Sequence, residues 1–188
     1  VWYRQHVNGV RVQAWCAAAF DTSLPWQRAD VVDGDGPVAL AWLGSSLGNF
    51  ADSRAIQAQL RQWIDKLQPA AIILGYDLWS TREDKKNRVR AAYDNDLTAA
   101  FIRNGFRNFC SYEGCSYPVK NDYSVRIDHD GCVTMGLVVR DAFVPVEISR
   151  KFLPEDIAAM WQGIGLHVKE TCIDEDHEYA IAVLAPRA

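Results

Sequence analysis

Residues 38–75 read VALAWLGSSLGNFADSRAIQAQLRQWIDKLQPAAIILG. The run 38–43 is apolar without interruption and closes at Gly44, the pattern of a strand buried on both faces, as in a parallel sheet. Ile56, Leu60, Trp63, Ile64 and Leu67 then recur at helical spacing. They place one apolar stripe on a helix, stopped before Pro69. Residues 70–75 form a second buried strand. Strand, helix, strand in that order is a βαβ unit, and it predicts an α/β sheet.

On the amino-terminal side, residues 10–16 read as a strand that runs into Ala17-Ala18-Ala19 and then Phe20-Asp21. A loop follows, with Pro25 and a glycine-rich turn at 33–37. On the carboxyl-terminal side, residues 81–90 are basic and polar and read as a solvated helix face. Leu97, Ala100 and Phe101 predict a short helix ended by Asn104-Gly105. Residues 123–127 and 132–139 read as two strands joined at His129-Asp130-Gly131, with 144–149 as a third. Pro154-Glu155-Asp156 opens a helix that turns Ile157, Met160, Trp161 and Ile164 to the core, with Gly163 and Gly165 closing it. Residues 167–173 and 179–184 alternate and end the chain as a hairpin. The organisation is an α/β layer, an antiparallel insertion, and a return to the α/β layer.

A chain of 188 residues is expected to hold one domain, or one with a modest insertion. Its hydrophobic fraction of 49% and charged fraction of 23% exclude general disorder. A net charge of −4 argues against a nucleic-acid partner. The sequence has no apolar stretch long enough to span a bilayer, so no membrane partner is expected. Seven Trp suit a core or pocket built from large rings. The five Cys lack paired short spacings, and no second ligand pair follows Cys110 and Cys115. Reduced thiols of a cytoplasmic protein, with no metal, are the reading they support.

Gly44-Ser45-Ser46-Leu47-Gly48-Asn49 lies between a buried strand and an amphipathic helix. It spells G-x-S-x-G with Ser46 at the tip, the nucleophile-elbow pattern of α/β-hydrolases, and Asp174 or Asp176 with His177 would complete a triad in the right chain order. A Gly/Ser-rich turn at the carboxyl end of a parallel strand is equally where open sheets bind cofactor or substrate, which makes Gly44 and Ser45 cofactor candidates. The third reading is a tight turn with no ligand. The G-x-G-x-x-G fingerprint of dinucleotide binding is absent.

Four segments recur in the order of one known family: 43–50 (LGSSLGNF), 72–77 (IILGYD), 92–94 (AYD) and 146–152 (VEISRKF). Across roughly residues 10–185 the chain resembles the histidine-specific methyltransferases that depend on S-adenosylmethionine. These include the enzyme that methylates histidine in ergothioneine biosynthesis and the fungal N-methyltransferase of dimethylallyltryptophan in the secondary metabolism of ergot alkaloids. The resemblance implies a Rossmann-like class I methyltransferase sheet, entered just before its third strand, with an inserted α+β substrate domain. It divides the chain into core (1–85), substrate-binding insertion (86–150) and core again (151–188). It also implies that an N-terminal segment or a second chain supplies the first strands.

By position, Ala19 and Phe20 match residues at the cofactor, with Phe20 beside the adenine. Asn49 and Tyr93 match residues that hold the carboxylate and amine end of an amino-acid substrate. Glu147 and Ser149 match the pair at the ring end. Val125 stands where the histidine enzyme carries a Met, and the smaller side chain leaves room for an indole. The activity implied is N-methylation of the α-amine of a histidine- or tryptophan-like amino acid; the alternative within the same fold is a non-catalytic remnant or partner domain. The catalytic proton acceptor stays unassigned.

Overall fold

The computed structural model describes residues 36–118, 120–176 and 178–186. The readings at 10–16, Ala19, Phe20 and His177 lie outside the described residues.

Strand β1 (Ala39–Trp42) is followed by a 3-10 turn (Ser45–Asn49), helix α1 (Ser53–Leu67) and strand β2 (Ala71–Asp77). β1 and β2 pair in parallel, Ala39 opposite Ala71 through Trp42 opposite Leu74, so the βαβ unit is present. Asp52 starts α1 by accepting the Ala55 N–H at 2.8 Å, which satisfies one of the donors a helix leaves free at its start. The stripe Ile56, Leu60 and Leu67 is buried. Helix α2 (Glu83–Tyr93) and helix α3 (Asp96–Tyr112) follow, then strands β3 (Asp122–Ile127), β4 (Cys132–Val139) and β5 (Ala142–Arg150). Helix α4 (Pro154–Gln162) and the hairpin β6 (Leu166–Ile173) and β7 (Tyr179–Pro186) end the described chain.

Two sheets result. One has the order β1-β2-β7-β6, with β7 antiparallel to both β2 and β6. This mixed α/β sheet agrees with the Rossmann-like expectation. The other is the antiparallel meander β3-β4-β5. Each owns a core. Leu60, Ile72, Leu74, Trp161 and Leu184 anchor the first; Ile102, Val133, Met135 and Leu137 anchor the second, with Val89, Tyr93 and Phe106 packed on it.

Two local expectations are corrected. α3 does not stop at Asn104-Gly105 but runs to Tyr112. Gly105 costs a helix interior about 1 kcal/mol, and burial of Ile102 and Cys110 on either side carries the helix through it. β1 is not buried on both faces: among the described strands it is an edge, with Ala39 and Ala41 exposed.

The sheets are stitched where β5 ends. The Phe152 N–H donates to the Asp77 carbonyl at 2.9 Å, and the Trp79 N–H donates to the Phe152 carbonyl at 2.8 Å. The chain leaving β5 thus lies in parallel register beside the end of β2. No helix among the described residues is long and apolar enough to cross a membrane.

Candidate active site

The stitch places the carboxyl end of β2 against the last residues of the β5 strand line. Glu147, Ser149 and Lys151 alternate along that line, and alternation puts all three on one face. Asp77 ends β2. Between them stands Lys151, whose side chain is only 4% exposed. Its ammonium donates to Asp77 Oδ2, to the Tyr93 hydroxyl and to Ser149 Oγ, the last at 3.0 Å. An ammonium has three N–H donors and no acceptor, so this set of partners uses all of them. A buried charge persists only when paired and hydrogen-bonded, and here both conditions hold. The Tyr93 hydroxyl and Ser149 Oγ also bond each other at 2.9 Å. Tyr93 turns its ring toward the ammonium, with Nζ 4.8 Å from the ring centroid.

The network continues toward the glycine-rich turn. Ser45 Oγ donates to Asp77 Oδ1 at 2.7 Å, so each carboxylate oxygen of Asp77 has a donor. Gly44 sits at φ +86°, a conformation natural to glycine, with open space where a Cβ would stand. Its N–H donates to the Tyr179 hydroxyl at 3.1 Å. That hydroxyl reaches it across Gly75, where a Cβ would lie 2.9 Å from the tyrosine Cζ and nearer still to its oxygen. Gly48 plays the same part against β5: a Cβ there would lie 2.9 Å from the Arg150 nitrogen. The 3-10 turn therefore rests directly on the β5 backbone, and Asn49, exposed at its end, belongs to the same corner.

Tyr93 is held from behind. The Tyr123 hydroxyl donates to the Tyr93 carbonyl at 2.7 Å. Burial pushes the Tyr123 phenol up to about 12, and the charges of Asp94 and Tyr93 push the same way. Val125, Met135 and Glu147 lie opposite one another across the meander. Val125 packs in the second core, and the buried Met135 stands between it and Glu147 in that row. Glu147 is half-buried and has no hydrogen-bond partner among the described residues. A cavity of about 190 Å³ opens beside Tyr93 and Lys151, bounded also by Asp77, Val89, Ala92 and Glu178. A larger one of about 450 Å³ lies outside it along α2, but its cations are spoken for: Arg88 pairs with Glu178 at 3.0 Å, and Lys85 donates to the Asp176 carbonyl.

The residues expected from the sequence thus come together unevenly. Tyr93 and Ser149, expected at opposite ends of a pocket, are hydrogen-bonded to each other. Ser45 joins them through Asp77 and Lys151. Asp77 and Lys151 were not among the expected site residues. The signal for Lys151 was the period-two polar row Glu147, Ser149, Lys151; that for Asp77 was its place at the carboxyl end of a parallel strand, where open sheets bind ligands.

The hydrolase reading of Ser46 is not supported. Its Oγ accepts the Trp42 indole N–H at 2.8 Å. α1 begins only at Ser53, whereas an elbow needs a helix at once. Asp174 is engaged with the backbone N–H groups of Glu178 and Tyr179.

The sequence profile of the histidine-specific, S-adenosylmethionine-dependent methyltransferases matches residues 3–113, more than half of the chain. No curated protein matches in sequence. Among solved structures, an S-adenosylmethionine-dependent methyltransferase from Clostridium acetobutylicum aligns with the whole chain and 69% of its own length, at 10% identity and a TM-score of 0.48. The methyltransferase CcbJ from Streptomyces caelestis aligns with 84% of the chain at 10% identity and a TM-score of 0.41, and the chain spans 61% of its length. The sugar N-methyltransferase KedS8 from a Streptoalloteichus species aligns with 92% of the chain at 13% identity and a TM-score of 0.37, again over 61% of its own length.

At the glycine-rich turn, exposed Gly44 has open space where a Cβ would stand, and Ser45 beside it is anchored through Asp77. The profile match, on an α/β sheet with an open glycine turn at the carboxyl end of β1, makes this chain a member of the histidine-specific, S-adenosylmethionine-dependent methyltransferase family.

Proposed function

We propose that this protein transfers a methyl group from S-adenosylmethionine to the α-amine of an amino acid whose aromatic ring carries an N–H, a histidine- or tryptophan-like substrate. The observation that carries this reading is Glu147: a half-buried carboxylate without a partner among the described residues, on the same strand face as Ser149 and Lys151. An ionised carboxylate only accepts hydrogen bonds, so it selects a donor, and a ring N–H is such a donor. S-adenosylmethionine supplies a methyl on a positively charged sulfur, open to in-line attack by a neutral amine. The chain's own task is alignment. Reacting atoms need to stand about 3–3.5 Å apart and collinear. Asn49 and the Tyr93–Ser149 pair hold the polar groups of the amino acid, while Gly44 and Ser45 line the cofactor side.

The test uses the purified protein, S-adenosylmethionine with an isotopically labelled methyl, and mass spectrometry that locates the label. Histidine and tryptophan are expected to be methylated on the α-amine. Their ring-N-methylated counterparts and phenylalanine are expected to react at least tenfold less well, because Glu147 is then left without a donor. Equal rates across that panel, or label on another atom, would falsify the reading. Val125 in place of a larger side chain favours tryptophan over histidine in direct competition. One or two methylene equivalents of room amount to roughly 10- to 200-fold, and Val125→Met is expected to move the ratio toward histidine.

A further inference from the structure

We propose that Lys151 is a positioning residue: clamped by Asp77, its ammonium fixes the Tyr93 and Ser149 hydroxyls as acceptors and leaves that pair one proton to offer an acceptor on the amino-acid substrate. The inference rests on the amino-acid reading for its ligand and on geometry alone for its network.

The proton count is closed. Lys151 spends three N–H donors on Asp77, Tyr93 and Ser149. Tyr93 and Ser149 own one hydroxyl proton each, and the 2.9 Å bond between them consumes one. One proton remains, on whichever hydroxyl accepts from the other. Without the ammonium, each hydroxyl regains a free lone pair and the pair can rotate to accept as well as donate. The clamp therefore occupies a lone pair on each hydroxyl, limits their rotation and leaves the pair one proton to donate. The same ammonium reads the cofactor side, because Asp77 also accepts from Ser45 at 2.7 Å. The side chain of the residue just past β5 is thus tied to the turn after β1 through two hydrogen bonds.

Two measurements test this on the whole protein. The first needs no ligand. With ¹⁵N-lysine labelling, Lys151 is expected to give a slowly exchanging ammonium resonance that disappears in Lys151→Met and shifts in both Tyr93→Phe and Ser149→Ala. A spectrum without such a resonance, or one indifferent to both hydroxyl deletions, overturns the network. The second is steady-state kinetics. Lys151→Met is expected to raise KM for the amino acid roughly 10- to 100-fold while kcat changes less than about threefold. A lysine that only stabilises the fold would lower the active fraction, and so kcat, without moving KM; that result overturns the positioning role. Where Lys151→Met does not fold, Asp77→Asn carries the test, with a smaller KM increase in the same direction, and an unmoved KM counts against the proposal. If the unaltered protein methylates no amino acid, the proposed function fails, and the ammonium resonance still decides whether the clamp exists.

Discussion

Gly48→Ala tests how the turn after β1 is seated. The added Cβ would lie 2.9 Å from the Arg150 nitrogen and 3.3 Å from its carbonyl carbon, with the carbonyl oxygen nearer still; ordinary contact begins at 3.4 Å. These are backbone atoms of a paired strand, since Arg150 is in register with Cys132, so they cannot swing aside as a side chain would. The turn must lift from β5 by about 1 Å, and overpacking of this kind costs roughly 1–3 kcal/mol. The lift acts on the two ends of the turn, Ser45 with its bond to Asp77 and Asn49 with its expected hold on substrate. Misplacement on the order of 1 Å can cost about 100-fold in rate. Chemical denaturation and methyl transfer are the two assays, with kcat/KM expected to fall more than the stability loss alone explains at a temperature where the variant is folded. A variant with unchanged denaturation midpoint and unchanged kcat/KM would show that the turn does not rest on β5 as described, and the site built on that contact would have to be redrawn.

Asn49→Ala is expected to lower kcat/KM for an accepted amino acid roughly 10- to 100-fold, since a hydrogen bond to a charged group is worth about 1.5–3 kcal/mol; an unchanged value removes Asn49 from the site. Trp161→Ala, at a position with no exposed surface, should cost about 3–5 kcal/mol in denaturant titration, and a loss below 1 kcal/mol would contradict its place in the first core. Alkaline titration addresses Tyr123. An ordinary tyrosine ionises at 10.0 and this one at about 12, so between those values the unfolded chain holds fewer protons than the folded one, and stability is full below the lower value and falls as pH rises through the upper. Tyr123→Phe should flatten that decline in part, leaving the share of Tyr76, which burial also raises; an identical alkaline profile in the variant refutes the assignment.

What the sequence determined by itself is what neighbours along the chain decide. The stripe from Ile56 to Leu67, the cap at Asp52 and the stop before Pro69 all act within a few residues, and they suffice for α1 and for the strands on either side of it. Local signals also misled. Asn104-Gly105 carries the chemistry of a helix end, but α3 passes through it because Ile102 and Cys110 are buried against the meander, a contact no local window contains. Ser46 has the spacing of a nucleophile, yet its hydroxyl receives an indole N–H from Trp42. The family's own segments brought Tyr93, Glu147 and Ser149 into view as separate points. Only the tertiary structure joins Tyr93 to Ser149, because the joint is a lysine that meets its carboxylate partner across 74 residues of chain. That meeting depends on the insertion returning along the end of β2, on Gly48 letting the turn lie on β5, and on the alternation that points Glu147, Ser149 and Lys151 the same way. Each is a matter of how two sheets dock. Burying an ammonium is favourable only once every partner is already in place, so the site is set by packing that no stretch of sequence specifies alone.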